Sequence, residues 1–493
     1  MDTKNIIAAI SLSAAVIVLY SLFFAPPPIT KENMAEGNKV EQNSDTPSLN
    51  QKENVAEISR EEALNQSKRI NFENESIVGS ISLKGSVIDD LTFKQYNVSL
   101  DSQEKVTLLS PRNSKDGYLI ESGFITSDKN VEIPNSSSIW KISGNNKLTD
   151  QSPIKLSWTN DQGITFEKEI ALDDKYLFSI KQSVINPTDK KYDFYTYGQI
   201  IRNEMPDISN FYILHEGLVA TLDDELIEED YDDIQEKKFT RTAQKGWLGI
   251  GDKYWVTSLI PPREKEFKTT FDYKDKFRAN FVSTEPLELN ENSLIEETMQ
   301  IIVAAKRVDV IDGYAESLKI DKFDLTIDWG FLYFITKPLF FGIDYFFKLL
   351  GNYGLAIIAI TICIRLAFFP LANFSFRSMA KMKALQPEMA RLKTLHEGDK
   401  MKLQQAMMAL YKKEKVNPMS GCLPILVQIP VFFALYKVLF VTIEMRHMPF
   451  YGWIQDLSER DPTSLFNLFG LLPYDVPSFL VIGAWPVAMG VSM

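Results

Sequence analysis

An arginine lies within an apolar run that is long enough to cross a membrane. Residues 356–376 read AIIAITICIRLAFFPLANFSF, and Arg365 is the one charged residue among them. A guanidinium keeps its charge, so placing it at the centre of a bilayer costs at least ~2.5 kcal/mol. Charged residues in such segments usually face a polar cavity that serves a function, which makes Arg365 the first candidate functional residue. The alternatives are a structural ion pair with another helix and snorkelling to the interface, which the spacing of twelve residues between Arg365 and Arg377 disfavours.

The composition excludes several other kinds of chemistry. The net charge is −12 over 493 residues, whereas nucleic-acid binding needs a basic surface. The three histidines are far apart in the chain, and the two cysteines lie in or beside apolar segments. No Gly-rich phosphate loop is present. The sequence therefore predicts no nucleic-acid binding, no metal site, no cofactor and no disulfide framework.

Apolar segments mark the parts of the chain expected in a membrane. Residues 5–25 predict an N-terminal transmembrane anchor, with a cleaved signal peptide as the alternative. Residues 352–376 and 419–443 predict two further transmembrane helices. Lys437 lies near one end of the second, where its long stem is expected to reach the interface. Residues 477–493 begin another span and stop without a polar flank, so we expect the sequence to be incomplete at its C-terminus.

The region between the anchor and these spans is polar and alternates in character. Residues 26–69 lack aromatics and predict a disordered linker. Residues 70–323 contain many short alternating runs separated by turn clusters, a pattern typical of a large all-β sandwich. The acidic run 223–236 lacks the ordered ligand spacing of a calcium loop, so a solvated loop is favoured over a calcium site.

Residues 328–350 combine many aromatic residues with a narrow charged stripe. The stripe consists of Lys337, Asp344 and Lys348, spaced by seven and four. This pattern predicts an amphipathic helix lying in the membrane interface. The alternative is an amphipathic helix packed on the β-sandwich.

Charge distribution predicts the orientation of the chain. Residues 377–415 contain ten Lys or Arg against four Asp or Glu, which predicts a cytoplasmic location for this segment. The β-sandwich and residues 444–476, a predicted loop, then lie on the opposite, periplasmic face. We therefore expect a multi-pass protein of a bacterial inner membrane.

The basic segment 377–417 predicts a helical hairpin, because apolar residues recur at three and four on both sides of a HEGDK turn. Methionines on such a hairpin form a flexible surface that accepts varied apolar partners, although ordinary helix filling explains them as well. The candidate contact residues are Met382, Met389, Met407 and Met408. Prolines in the two spans are expected to kink them and open space between helices: Pro370, Pro424 and Pro430.

Several motifs in this half of the chain resemble one known family. They are IRLAFFPL, SMAKMKALQPEMARLK, MMALYKKEKVNPMSGCLPILVQIPVFFALYKVL and MRHMPFYGWIQDLSERDP, with KGWLGIGDKYWVTSLIPP in the sandwich region. Together they resemble the YidC–Oxa membrane-protein insertases, in the form found in Gram-negative bacteria. Members of this branch have six spanning helices, whereas this sequence stops within its fourth.

The resemblance implies an α-helical transmembrane insertase core with a large extracytoplasmic all-β sandwich. It implies a non-enzymatic protein that inserts and helps fold membrane proteins through a hydrophilic intramembrane groove. The groove arginine would be Arg365, with Thr361 one turn earlier and with Gln428 and Phe432 on the next span. Nascent membrane proteins and the lipid bilayer would be partners, and the Sec translocon and the ribosome are further candidates. A membrane-anchored carbohydrate-binding sandwich and a solute transporter are the alternative functions.

Overall fold

The computed structural model describes residues 58–206, 214–414, 416–459, 461, 463–468, 472, 476 and 482–492. The predicted anchor at 5–25 and most of the predicted linker lie outside these residues. The last part of the linker is described, and the prediction of disorder is wrong there. Residues Arg60–Leu64 form helix α1, because Ser59 and Glu62 satisfy each other's backbone N–H groups in a capping box.

Twenty β-strands in the described residues form two sheets, which confirms the predicted all-β class of this region. The strands are β1 Arg69–Glu73, β2 Ile77–Ser82, β3 Val87–Asn97, β4 Lys105–Leu109, β5 Tyr118–Thr126, β6 Lys141–Ser143, β7 Lys147–Leu148, β8 Ile154–Thr159, β9 Thr165–Leu172, β10 Leu177–Asn186, β11 Tyr192–Arg202, β12 Gly217–Leu222, β13 Glu225–Asp230, β14 Phe239–Ala243, β15 Gly246–Gly251, β16 Trp255–Ile260, β17 Phe267–Tyr273, β18 Phe277–Ser283, β19 Leu287–Leu289 and β20 Ser293–Ala305. The first sheet has eleven strands in the order β14-β17-β18-β11-β5-β3-β2-β1-β7, with β19 paired to β11 and β4 paired to β3. The second sheet has nine strands in the order β13-β12-β15-β16-β20-β10-β9-β8-β6.

Alternation of side chains explains how these sequences form strands with one buried face. In β9, Phe166, Lys168, Ile170 and Leu172 are buried while the residues between them are not. The strand pairs antiparallel with β10 in continuous register, so that Leu172 lies opposite Phe178. Period-two burial of this kind fixes the register, because a slip of one residue would turn every apolar side chain outward.

Helices occupy the described chain beyond the strands. The strands end before the predicted domain boundary at 323, since β20 ends at Ala305 and a helix follows it. The predicted solvated loop at 223–236 is wrong: it forms β13 and a short helix that buries Tyr231 and Ile234. The helices after α1 are α2 Tyr231–Glu236, α3 Val308–Ser317, α4 Tyr333–Leu350, α5 Tyr353–Ala384, α6 Gln386–Leu395, α7 Lys400–Lys413, α8 Leu423–Val441 and α9 Ala484–Ser492.

One apolar core joins the sandwich to the helices that follow it. The buried cluster includes Trp247 and Phe281 of the strands, and it continues through Trp329 to Phe340 of α4 and Val438 of α8. The Trp329 and Phe340 rings meet at a centroid distance of 5.7 Å. The sandwich is therefore packed against α8 rather than linked to it only through the chain.

Candidate functional site

Helices α5 and α8 are long and apolar enough to cross a membrane, and they are the two such helices found among the described residues. Helix α5 begins cleanly because Asn352 caps it, accepting a hydrogen bond from the Leu355 N–H at 3.1 Å. It follows Gly351, whose φ of 68° ends α4 in the left-handed region that glycine favours. Membrane crossing itself is a prediction that rests on length and composition.

A polar contact joins these two apolar helices. The Arg365 Nη1 group donates a hydrogen bond to Gln428 Oε1 at 3.3 Å. The structure thus brings together two of the four predicted groove residues from segments 63 positions apart. A hydrogen bond from a charged donor to an amide holds the guanidinium toward α8.

The other two predicted groove residues lie one helical turn from this contact. Thr361 precedes Arg365 on α5, and its hydroxyl donates to the Ile357 carbonyl of its own helix at 2.7 Å. This bond satisfies the hydroxyl in an apolar environment. Phe432 follows Gln428 on α8, and its side chain is exposed. By the four-residue spacing, Thr361 lies on the same face of α5 as Arg365, and Phe432 lies on the same face of α8 as Gln428.

The three predicted kink prolines occupy two kinds of position. Pro370 and Pro430 lie inside α5 and α8, where a proline removes one backbone hydrogen bond. Pro424 lies in the first turn of α8. The prediction of a kink at Pro424 is wrong, because first-turn N–H groups have no intrahelical partner to lose.

The basic segment forms two helices, α6 and α7, joined by a turn at Gly398 with a φ of 99°. Met389 of α6 and Met407 of α7 are half-buried, whereas Met408 is exposed. The Tyr411 hydroxyl lies 3.9 Å from the Met389 sulfur, so the helices touch along this seam. Met382 belongs to the last turns of α5, because that helix runs eight residues past its predicted end at 376.

Sequence reasoning missed a cluster of charges between the sandwich and α8. The Lys437 Nζ pairs with Asp328 Oδ2 at 2.6 Å, and both side chains are largely buried. Asp328 also accepts a hydrogen bond from the His215 backbone N–H at 2.9 Å. A lysine in an apolar segment was a signal that a partner was needed, but the partner lies 109 positions away.

Two further residues after α8 contact the sandwich. Glu444 accepts a hydrogen bond from the Val308 N–H at the start of α3, at 2.8 Å. Burial raises the pKa of the Glu444 carboxyl to about 7. Arg446 donates to the carbonyls of Asn97 and Val98 at 2.8 and 3.0 Å.

The charged stripe of helix α4 is engaged in ion pairs. Lys337 is not on a free surface: it pairs with Asp312 at 3.0 Å and with Asp324 at 2.8 Å. Asp344 and Lys348 pair with each other along the helix. One face buries Phe340, while the opposite surface exposes aromatic and leucine side chains: Phe334, Phe341, Tyr345 and Leu349. The helix therefore packs on the protein by one face and leaves an apolar face uncovered.

Within the described ranges, no cluster of three or more His, Cys, Asp or Glu side chains is arranged to hold a metal ion. Two family models match the chain: the YidC periplasmic domain over residues 69–341 and the 60Kd inner membrane protein over residues 345–493. The chain belongs to the YidC membrane protein insertase family. The predicted resemblance is thereby confirmed.

Relatives in this family are similar over most of their length. The membrane protein insertase YidC of Pelagibacter ubique (strain HTCC1062) is 74% identical over 494 residues, covering 100% of this chain and 88% of the relative. The YidC insertase of Rickettsia prowazekii (strain Madrid E) is 44% identical, covering 99% of this chain and 88% of the relative. A crystal structure of an active YidC insertase with its first transmembrane domain resolved aligns with a TM-score of 0.28, 15% identity, 79% coverage of this chain and 76% of that one.

Family membership makes the chain a membrane protein insertase of the inner membrane rather than an enzyme. It also confirms the predicted fold class, a helical core with a large all-β domain. The carbohydrate-binding and transporter alternatives are not favoured, because the curated relatives are insertases by name.

Proposed function

We propose that the chain inserts membrane proteins by drawing their polar tails into a groove between α5 and α8. The observation that carries this proposal is the Arg365–Gln428 contact inside two apolar helices. The barrier to insertion is the passage of polar groups through hydrocarbon, where each unsatisfied group costs several kcal/mol. A polar strip partway across the bilayer shortens that path.

In this proposal, Arg365 attracts acidic residues of the translocated tail. The Arg365 side chain is exposed and carries a single hydrogen bond to a neutral amide, so its charge is not neutralised by a described carboxylate. A carboxylate at 4 Å would gain about 1 kcal/mol in water and about 4 kcal/mol at a protein surface. Thr361 and Gln428 line the path with neutral hydrogen-bonding groups, and Phe432 borders the substrate helix.

The orientation of the chain follows from the same proposal. The hairpin of α6 and α7 lies in the cytoplasm, where its methionines contact apolar segments of substrates. The sandwich lies on the periplasmic side, and α4 rests its exposed aromatic face in the membrane interface. The Sec translocon and the ribosome are proposed as further partners. Pro370 and Pro430 supply local freedom for the groove to open.

The experiment compares insertion of two single-span substrates that differ only in acidic or neutral translocated tails. Arg365→Ala is expected to reduce insertion of the acidic-tail substrate by about fivefold or more, from the lower of the two Coulomb values, with little effect on the neutral-tail substrate. Arg365→Lys keeps the charge and should retain most activity. Arg391→Ala, an exposed arginine of α6, is the matched control. Equal loss of both substrates in Arg365→Ala would refute the attraction model.

A further inference from the structure

The C-terminal end of α8 and the residues that follow it are held by three polar contacts. Lys437 pairs with Asp328 at 2.6 Å, and Glu444 accepts a hydrogen bond from the Val308 N–H at 2.8 Å. Arg446 donates to the Asn97 carbonyl at 2.8 Å and lies over the Trp255 ring at 5.8 Å. The three contacts come from different segments (β3, the start of α3 and the segment before α4), so together they restrict both the position and the rotation of this helix end.

Asp328 is the point where three segments meet. Its Oδ2 accepts hydrogen bonds from Lys437 and from the His215 backbone N–H, and its Oδ1 accepts one from the Gly330 N–H at 3.0 Å. One carboxylate thus joins the sandwich, the segment that leads into α4, and α8. Side-chain exposures of 16% for Asp328 and 12% for Lys437 mean that water cannot easily replace the pair.

Helix α8 connects the attached residue Lys437 to the groove residue Gln428. Lys437 lies nine residues after Gln428 on the same helix, a distance of about 13 Å along its axis. Ala434 and Val438 on the same helix are buried. Pro430 lies between Lys437 and Gln428, so the helix that links them is continuous but lacks one backbone hydrogen bond.

Helix α5 is less buried near Arg365: among the described residues, no α5 side chain within eight positions of Arg365 is buried. The buried residues of this helix lie nine or more positions away: Tyr353, Gly354, Ala356 and Ser375. The relative position of Arg365 and Gln428 therefore depends strongly on where α8 is held.

We infer that Asp328 is a positioning residue for the groove, holding α8 through Lys437 so that Gln428 faces Arg365. The inference rests on the proposed function for its effect on insertion, but its structural part does not. The pair acts at a distance and does not contact substrate.

The structural part is tested with the chain's own two cysteines. Cys363 lies on α5 and Cys422 precedes α8, so spin labels on them report the spacing of these helices without altering the proposed groove residues. Labelled full-length protein in lipid nanodiscs is measured by pulsed electron–electron double resonance. Insertion of a single-span substrate and thermal unfolding are measured on the same variants.

Lys437→Met should broaden the distance distribution and slow insertion by about threefold to tenfold. The double variant Asp328→Asn/Lys437→Met removes the unpaired buried charge, so its unfolding temperature should recover. Its distance distribution and insertion should stay defective, because the attachment is still missing. Lys437→Arg should behave as wild type in all three measurements. Asp344→Asn, which breaks the exposed pair with Lys348 on α4, is the control and should change none of them.

Recovery of insertion and distances together with stability in the double variant would overturn the inference, since the pair would then be only a structural ion pair. Wild-type distances in Lys437→Met would overturn it as well. If distances respond to Lys437→Met while Arg365→Ala inserts acidic tails normally, the positioning of α8 is supported and only the proposed groove function fails.

Discussion

The raised pKa of the Glu444 carboxyl leads us to expect that the protein becomes less stable as the pH rises toward neutrality. Burial raises the pKa of its carboxyl to about 7 from an ordinary value of 4.5. Between these values the folded protein retains a proton that the unfolded chain has released. The contribution of this carboxyl to stability is therefore full below about pH 4.5, decreases as the pH rises, and is lost above about pH 7. At ~1.4 kcal/mol per pH unit, the total effect is about 3 kcal/mol.

Glu444→Gln removes this dependence while keeping an oxygen that accepts the Val308 N–H. The variant and the wild type should be similar at pH 5, and the variant should be more stable at pH 8. For a region the size of the sandwich, a difference of about 3 kcal/mol corresponds to roughly 6–12 °C in unfolding temperature.

The measurement is thermal unfolding in nanodiscs, followed by tryptophan fluorescence at pH 5, 6, 7 and 8. Glu225→Gln, a carboxylate paired on the surface with Arg241, serves as the control and should shift little at any pH. A constant offset between Glu444→Gln and wild type at all four pH values would refute the reasoning, because the carboxyl would then not be titrating in this range.

Two other predictions concern the sandwich and the hairpin. Asp272→Ala leaves Arg278 buried without its partner and should lower the free energy of unfolding by about 3–5 kcal/mol. Glu296→Ala breaks an exposed pair with Lys181 and should lower it by at most about 1 kcal/mol. Equal losses of the two variants in denaturant unfolding would contradict the greater importance of the buried pair. A photo-crosslinking residue in place of exposed Met408 should trap nascent substrates, while the same residue at Lys400 should not, and equal trapping at both would argue against a methionine contact surface.

The sequence predicted those features of the fold that depend on residues close together in the chain. The period-two burial of β9 and the long apolar runs of α5 and α8 are written in consecutive residues, so both were recognised. The acidic run at 223–236 was wrongly predicted to be a solvated loop because charged residues dominate its composition. Two apolar residues within it, Tyr231 and Ile234, are buried on one face of a short helix.

The candidate site was predictable only in part, because its contacts cross long stretches of chain. Arg365 was predicted because a charge in an apolar segment is energetically costly, and Gln428 was predicted as a groove residue on the next span. The partner of Lys437 was not predictable, since nothing near Asp328 in sequence indicates that it meets a helix more than a hundred residues later. Such pairs are set by the packing of the sandwich on α8, which single-sequence patterns do not encode.

The length of α5 has a mechanical consequence. Its 32 residues span about 48 Å, while the hydrocarbon core of a bilayer is about 30 Å thick. With the proposed topology, α5 extends beyond the hydrocarbon core as one helix, and its last turn connects directly to the hairpin through Leu385. A displacement of the hairpin would therefore tilt or bend α5, and Pro370, which removes one backbone hydrogen bond, is the position where the helix bends most easily.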